Sequence, residues 1–364
     1  MRKHIQFSRF DKLLFFTPIT IFLIGILSVY SASHKVDQSL GDLLAIRQLM
    51  WMGIGLLVIL IVVRHSYFRL VDIAWPLYFV SLFFLVVVLF TPPRLGARRW
   101  IDLGGFNFQP SELAKISVIL VLSRFFSSNR IEFMSKGRLL EPFLIVGVPF
   151  LLILKEPDLG TGLILIPIFL AMLYLWGMPT RKLLLLMGAG LLASPVLFHF
   201  LKDYQRSRLL VFMNPNLDPL GAGYTIIQSK IAIGSGGFFG KGFMGGTQTQ
   251  LKFLPERHTD FIFGVIGEEG GFLASMLVIG LFWMIIRRGY QITAQTPDRF
   301  GSQIACGITT MLAFQTFVNL GMTMGVLPVV GVPLPLVSYG GTSVVMTLLA
   351  IGLLINIKVH RALY

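Results

Sequence analysis

The chain has 364 residues, of which 55% are hydrophobic and only 13% charged, about half the roughly 25% of a soluble globular protein. A membrane span takes ~20 mostly apolar residues, so ~200 apolar residues supply about ten spans and little soluble core, which excludes an ordinary cytosolic enzyme, a secreted disulfide scaffold and a disordered chain. One cysteine, Cys306, excludes an internal disulfide and a multi-cysteine metal site, and the net charge of +14 reads in such a chain as positive-inside bias, with no nucleic-acid partner.

Apolar runs and their breakers predict an all-α polytopic membrane protein with ten spans, near 12–31, 46–63, 70–91, 111–126, 141–154, 160–177, 182–200, 260–286, 302–327 and 340–357. The fifth is short, which fits a tilted, kinked or partly re-entrant helix. Arg2, Lys3, Arg9 and Lys12 precede the first span and Ser31-Ala32-Ser33 follows it, as in a signal peptide. Its apolar run exceeds the 7–15 residues of such a peptide, so a retained span is expected. No repeat or low-complexity linker divides the chain, so residues 1–364 read as one domain. With the N-terminus inside, the inner segments hold 17 Lys and Arg and the short outer segments six. That bias places both termini in the cytoplasm.

The exceptions to this bias carry the functional signal. The outer loop after span three contains Arg94, Arg98 and Arg99. The large extracytoplasmic loop between spans seven and eight, about 201–259, contains Lys202, Arg206, Arg208, Lys230, Lys241, Lys252 and Arg257 against Asp203, Asp218 and Glu256. Such loops fit either lipid headgroups or an anionic ligand at the outer face. Ionisable residues gather at the same level. Glu112 and Lys115 open span four, Glu156 and Asp158 precede span six, and Asp260 opens span eight. Glu112 and Lys115, at i and i+3, are either a local ion pair or part of a site. Asp158 and Asp260 are each either a helix cap or an active-site acid.

Span eight carries Gly264, Gly267 and Gly271 at helical spacing, a face suited to close packing, with Glu268 ~11 Å below Asp260. Glu268 and Glu269 need donors there, and polar groups of the bundle are the expected partners. Seven of the 13 residues in 234–246 are glycine. The run Gly240–Gly245 matches G-x-G-x-x-G but follows no strand, and Gly242 stands where a phosphate-binding loop needs Ser or Thr. What is expected is a backbone able to approach a ligand, with Lys241 in it, and Phe238, Phe239, Phe243 and Met244 dipping into the bilayer interface. Tyr224–Ile233 reads as a short interfacial helix. Gly331–Gly341 is an uncharged Pro- and Gly-rich loop, a re-entrant frame for the site or a partner contact.

The combination of Arg98-Arg99-Trp100, Gln109–Lys115, Glu156–Thr161, Asp203–Arg206, Asp218–Gly242, Leu254–Glu269 and Gly331–Gly341 resembles the SEDS family (shape, elongation, division and sporulation). Arg257 is similar to its RodA type, since division-type members usually carry a small residue there. The resemblance implies a peptidoglycan glycosyltransferase of cell elongation that polymerises lipid II at the outer face of the bacterial inner membrane. It implies that Asp260 matches the family aspartate, and Glu112 and Lys115 the family pair on span four. An α-linked donor giving a β-linked glycan requires inversion, with Asp260 as general base on the acceptor 4-hydroxyl. Lys115, Arg98, Arg99, Arg206 and Lys241 are expected to hold the leaving diphosphate. A divalent cation, Mg or Mn, is implied as a possible aid, though no spacing identifies a metal cage. Implied partners are lipid II and nascent glycan, a class B penicillin-binding protein acting as transpeptidase, and membrane proteins of the elongation complex. The rival readings are a lipid II flippase, another lipid-linked sugar transferase and a noncatalytic scaffold.

Overall fold

The computed structural model describes residues 11–34, 38–93, 97–102, 104, 106–129, 140–199, 202–214, 217–219 and 221–360. Arg2, Lys3, Arg9, Lys35, Arg94, Arg361 and most of the basic segment 124–138, used above to orient the chain, lie outside the described residues.

The described chain is almost entirely helical: α1 (Lys12–His34), α2 (Gln38–Arg64), α3 (Leu70–Val88), α4 (Pro110–Ser128), α5 (Glu141–Lys155), α6 (Leu159–Trp176), α7 (Thr180–His199), α8 (Asp203–Met213), α9 (Ala222–Ser235), α10 (Thr247–Gln250), α11 (Ile262–Gln295), α12 (Arg299–Thr323) and α13 (Gly341–His360). A two-residue antiparallel hairpin, β1 (Ile101–Asp102) and β2 (Asn107–Phe108), precedes α4. Hydrocarbon cannot satisfy backbone N–H and C=O groups, and helices satisfy them internally. A helix lies at each of the ten predicted spans. Seven of the described helices are long and apolar enough to cross a membrane. Of the others, α4 carries Glu112, Lys115 and Arg124, and α5 has only 15 residues. The chain is a multi-pass membrane protein.

Several boundaries differ from the expectation. Span two starts earlier, at Gln38, and span eight runs on to Gln295, because polar residues continue a helix once its apolar face is packed. The segment 201–259 holds three helices, α8, α9 and α10. Local chemistry sets the starts of α4 and α6. Pro110 occupies the first turn of α4, and Asp158 caps α6, accepting from Thr161 N at 3.2 Å and Thr161 Oγ1 at 2.8 Å.

At the centre is α12, with 83% of its most apolar window buried, followed by α13 with 72%. The corresponding share is 22% for α2 and for α11, whose exposed Leu and Phe side chains suit lipid. Helix α7 stands apart. Leu191 is 74% and Leu192 82% exposed, and among its described side chains only Leu183 is buried. At the end of the bundle away from Asp260, Asp11 joins three helices. It accepts from Arg288 Nε at 2.5 Å and Lys358 Nζ at 2.6 Å. Burial alone would raise its pKa, but these two cations hold it below the ordinary carboxylate value.

Candidate active site

Asp260 lies in the turn between Leu254 and α11. It does not cap that helix: the capping position is Phe261, and no side chain caps there. The carboxylate is therefore free for other work. Its backbone is held from beneath by Asn319 of α12, whose Nδ2 donates to Asp260 O at 2.9 Å and to Val332 O at 2.7 Å. The non-helical loop 331–340 clasps the preceding residues. Ser338 Oγ donates to Thr259 O at 2.6 Å, and Tyr339 N to His258 O at 2.9 Å. The Pro- and Gly-rich loop thus packs beside Asp260.

Two guanidiniums lie near Asp260 around Gly331. A Cβ built on Gly331 would lie 3.4 Å from Asp260 Oδ2, 3.9 Å from Arg99 Nη1 and 4.0 Å from Arg208 Nη1. Gly331 also has φ +72°, so a side chain there is disfavoured both by conformation and by space. Arg99 is fixed by Pro157 O at 2.6 Å and by Asp158 at 3.6 Å. Arg208 lies 5.7 Å from the Tyr204 ring, whose hydroxyl donates to the same Pro157 O at 2.9 Å. Burial and the Glu256 carboxylate push the Asp260 pKa up to about 6, against the pull of Arg208 and Arg99. That value leaves Asp260 mostly ionised at neutral pH and still basic enough to take a proton.

Beside this cluster, the Asp158 cap of α6 also accepts from Gln109 Nε2 at 3.4 Å. Gln109 N in turn donates to Thr342 Oγ1 at 3.3 Å, which ties the start of α4 to α13. Glu156 is fully buried with neither carboxylate oxygen hydrogen-bonded. Burial and the neighbouring Asp158 push its pKa up to about 9, Arg99 opposing, so it is a neutral carboxylic acid at pH 7. One turn into α4, Lys115 Nζ donates to Glu112 Oε1 at 2.7 Å, and both side chains are buried. The ion-pair reading of these two residues holds.

The other expected diphosphate ligands have partners of their own. Arg98 Nη1 donates to Leu89 O at 2.6 Å. Arg206 donates to Phe198 O and His199 O at the end of α7 and lies 3.9 Å from Asp203. Lys241 binds Glu268 at 2.9 Å. Arg208 was not singled out in the sequence, although it sits two residues from Arg206. Residues at i and i+2 face opposite sides of a helix, so only one of the pair can reach Asp260, and the sequence does not say which.

The glycine-rich stretch approaches α11 closely. A Cβ on Gly236 would lie 2.0 Å from Gly267 O, and one on Gly240 2.1 Å from Glu269 O. The expected interfacial helix is α9, packed on the glycine face of α11, where a Cβ on Gly267 would lie 3.0 Å from Ile233 Cγ1. Among the described residues no group of three or more His, Cys, Asp and Glu could hold a metal ion. At Asp260 the donor set does not fit a cation cage either, because Arg99 and Arg208 share the position with the carboxylates.

The sequence model of the FtsW/RodA/SpoVE family, described as cell cycle protein, matches residues 11–363. The chain is 42% identical over 351 residues to the peptidoglycan glycosyltransferase MrdB of Escherichia coli K12, covering 94% of each. It is similar to a chain from a peptidoglycan synthase complex, described as showing structural coordination of polymerization and crosslinking. That match has a TM-score of 0.82 at 35% identity and covers 97% of this chain and 98% of the other. It is also similar to the rod shape determining protein RodA of Thermus thermophilus, with a TM-score of 0.73 at 31% identity and 97% of each chain covered.

Proposed function

The chain belongs to the FtsW/RodA/SpoVE family and is a peptidoglycan glycosyltransferase; we propose that it polymerises lipid II with Asp260 as the general base. The observation that carries this reading is that the Asp260 carboxylate and the guanidiniums of Arg99 and Arg208 lie around one point at Gly331. In the reaction the acceptor 4-hydroxyl oxygen bonds to C1 of the donor sugar. The C1–O bond to the diphosphate breaks, its electron pair leaves on the lipid diphosphate, and the hydroxyl proton passes to Asp260. Attack from the face opposite the leaving group inverts C1. Arg99 and Arg208 are aimed where negative charge develops, the arrangement that gives electrostatic catalysis its leverage. A positioned base is typically worth ~10²–10⁴-fold.

The Lys and Arg bias supports cytoplasmic termini and an extracytoplasmic Asp260 in the bacterial inner membrane. The likeness to a synthase complex supports a crosslinking partner, a class B penicillin-binding protein, within the elongation machinery. Purified lipid II tests the reaction class. A glycan ladder made with the transpeptidase present supports the transferase. Transbilayer movement of lipid II in vesicles without a ladder replaces it with a flippase.

A further inference from the structure

Glu268 is a carboxylate inside a membrane helix, which demands a reason. It is fully buried and accepts five hydrogen bonds. Lys241 Nζ reaches Oε1 at 2.9 Å, Gln248 N at 2.8 Å and Thr247 Oγ1 at 3.2 Å. Thr249 gives Oε2 both its N, at 3.0 Å, and its Oγ1, at 2.8 Å. A carboxylate has about four lone-pair sites, so this one is saturated by a single turn of chain and one lysine. Next to it, Glu269 Oε1 accepts from Ser31 Oγ at 2.6 Å and Gln250 Nε2 at 3.2 Å, pinning the same turn to α1.

Three residues below Glu268, α11 is interrupted. Gly271 has φ 65° and ψ −158°, far from helical values. The backbone groups at the break are taken up by the glycine-rich segment. Lys241 N donates to Glu268 O and Gly242 N to Glu269 O, both at 3.0 Å, and Phe272 N donates to Gly237 O at 2.9 Å. The outer piece, Ile262–Gly270, is a rod of ~13 Å. Asp260 is fastened to its top, with Phe261 as the cap and Gly264 N donating to Phe261 O at 2.9 Å.

We propose that Glu268 is a positioning residue for Asp260: with Lys241 as its counterion, it locks the segment 236–250 onto the outer piece of α11, and that lock sets the height and tilt of the rod carrying Asp260. Lys241 then acts through Glu268 and makes no contact with the leaving diphosphate. The inference rests on the role given to Asp260 above.

The test uses the full chain with its transpeptidase, and compares Glu268→Gln, Lys241→Met, Lys241→Arg and the double variant Glu268→Gln/Lys241→Met. The lock predicts that Glu268→Gln lowers kcat tenfold or more while KM for lipid II stays within twofold. Lys241→Met lowers kcat similarly, Lys241→Arg restores it to within threefold of wild type, and the double variant is no slower than the slower single one. A raised KM with unchanged kcat in Lys241→Met places the lysine on the substrate and overturns the proposal. So does normal kcat per folded molecule in Glu268→Gln. Amide hydrogen exchange gives a readout independent of turnover. Glu268→Gln speeds exchange in 241–250 and also in 256–261, whereas wild-type protection at 256–261 refutes the coupling. If Asp260→Asn polymerises like wild type, the base assignment fails, and exchange still decides whether Glu268 holds the segment.

Discussion

Arg208 and Glu256 pull the acid–base balance of Asp260 in opposite directions, and the pH profile of the reaction must show both. Asp260 Oδ2 and Arg208 Nη1 lie 3.4 and 4.0 Å from one point at Gly331, so they are separated by at most about 7.4 Å. Two unit charges at ~7 Å interact by ~2.4 kcal/mol at an effective dielectric of 20 and ~0.6 kcal/mol at that of water. Asp260 is partly exposed and lies between these limits. At 1.36 kcal/mol per pH unit, removing the guanidinium moves the midpoint by roughly one unit. The sign follows from the base role. Asp260 works ionised, so kcat/KM is full above its pKa of about 6 and falls tenfold per unit below it. Arg208→Met removes a cation that favours the carboxylate, so the acid limb moves up. Glu256→Gln removes a neighbouring anion that disfavours it, so the limb moves down. The assay is the initial rate of lipid II polymerisation from pH 5 to 9 at constant ionic strength. A flat profile between pH 5 and 7, or shifts of the same sign in both variants, rules out Asp260 as the titrating base.

Glu156→Gln is expected to stabilise the protein against thermal unfolding in detergent. The folded pKa of about 9 lies above the ordinary 4.5, so wild-type stability is full below 4.5 and declines as pH rises toward 9, and the advantage of Gln widens over that window. Lys115→Met leaves Glu112 as an unpaired buried charge and costs about 3–5 kcal/mol, while Glu112→Gln/Lys115→Met together cost less; paired thermal melts check the order. Gly240→Ala forces a Cβ to 2.1 Å from Glu269 O at φ +81°, and a loss of about 2 kcal/mol or more is expected in the same melts.

Much of the bundle was legible because the bilayer leaves the chain few options: long apolar runs became helices, and Pro110 and Asp158 started α4 and α6 where their chemistry directs. The level of the acids was legible too, since Asp260, Glu156 and Asp158 do gather with Arg99 at one end. What was not legible depends on which side of a helix faces inward. Arg206 and Arg208 are equivalent in composition and opposite in direction. Asn319 is an ordinary polar residue of a buried helix until the fold brings Asp260 O and Val332 O to it. The glycine run signalled close approach correctly but not to what. Its partner is the broken backbone of α11, and no local pattern marks Gly271 as the break rather than one more packing glycine.

Asp260 is proposed to remove the acceptor proton. Asp260→Asn keeps the size of the side chain and removes its basicity, so single-turnover polymerisation beside direct lipid II binding tests it most directly. The variant is expected to fold, to bind lipid II within about threefold of wild type and to form glycan at least ~10²-fold more slowly. A ladder formed by Asp260→Asn at the wild-type rate contradicts it.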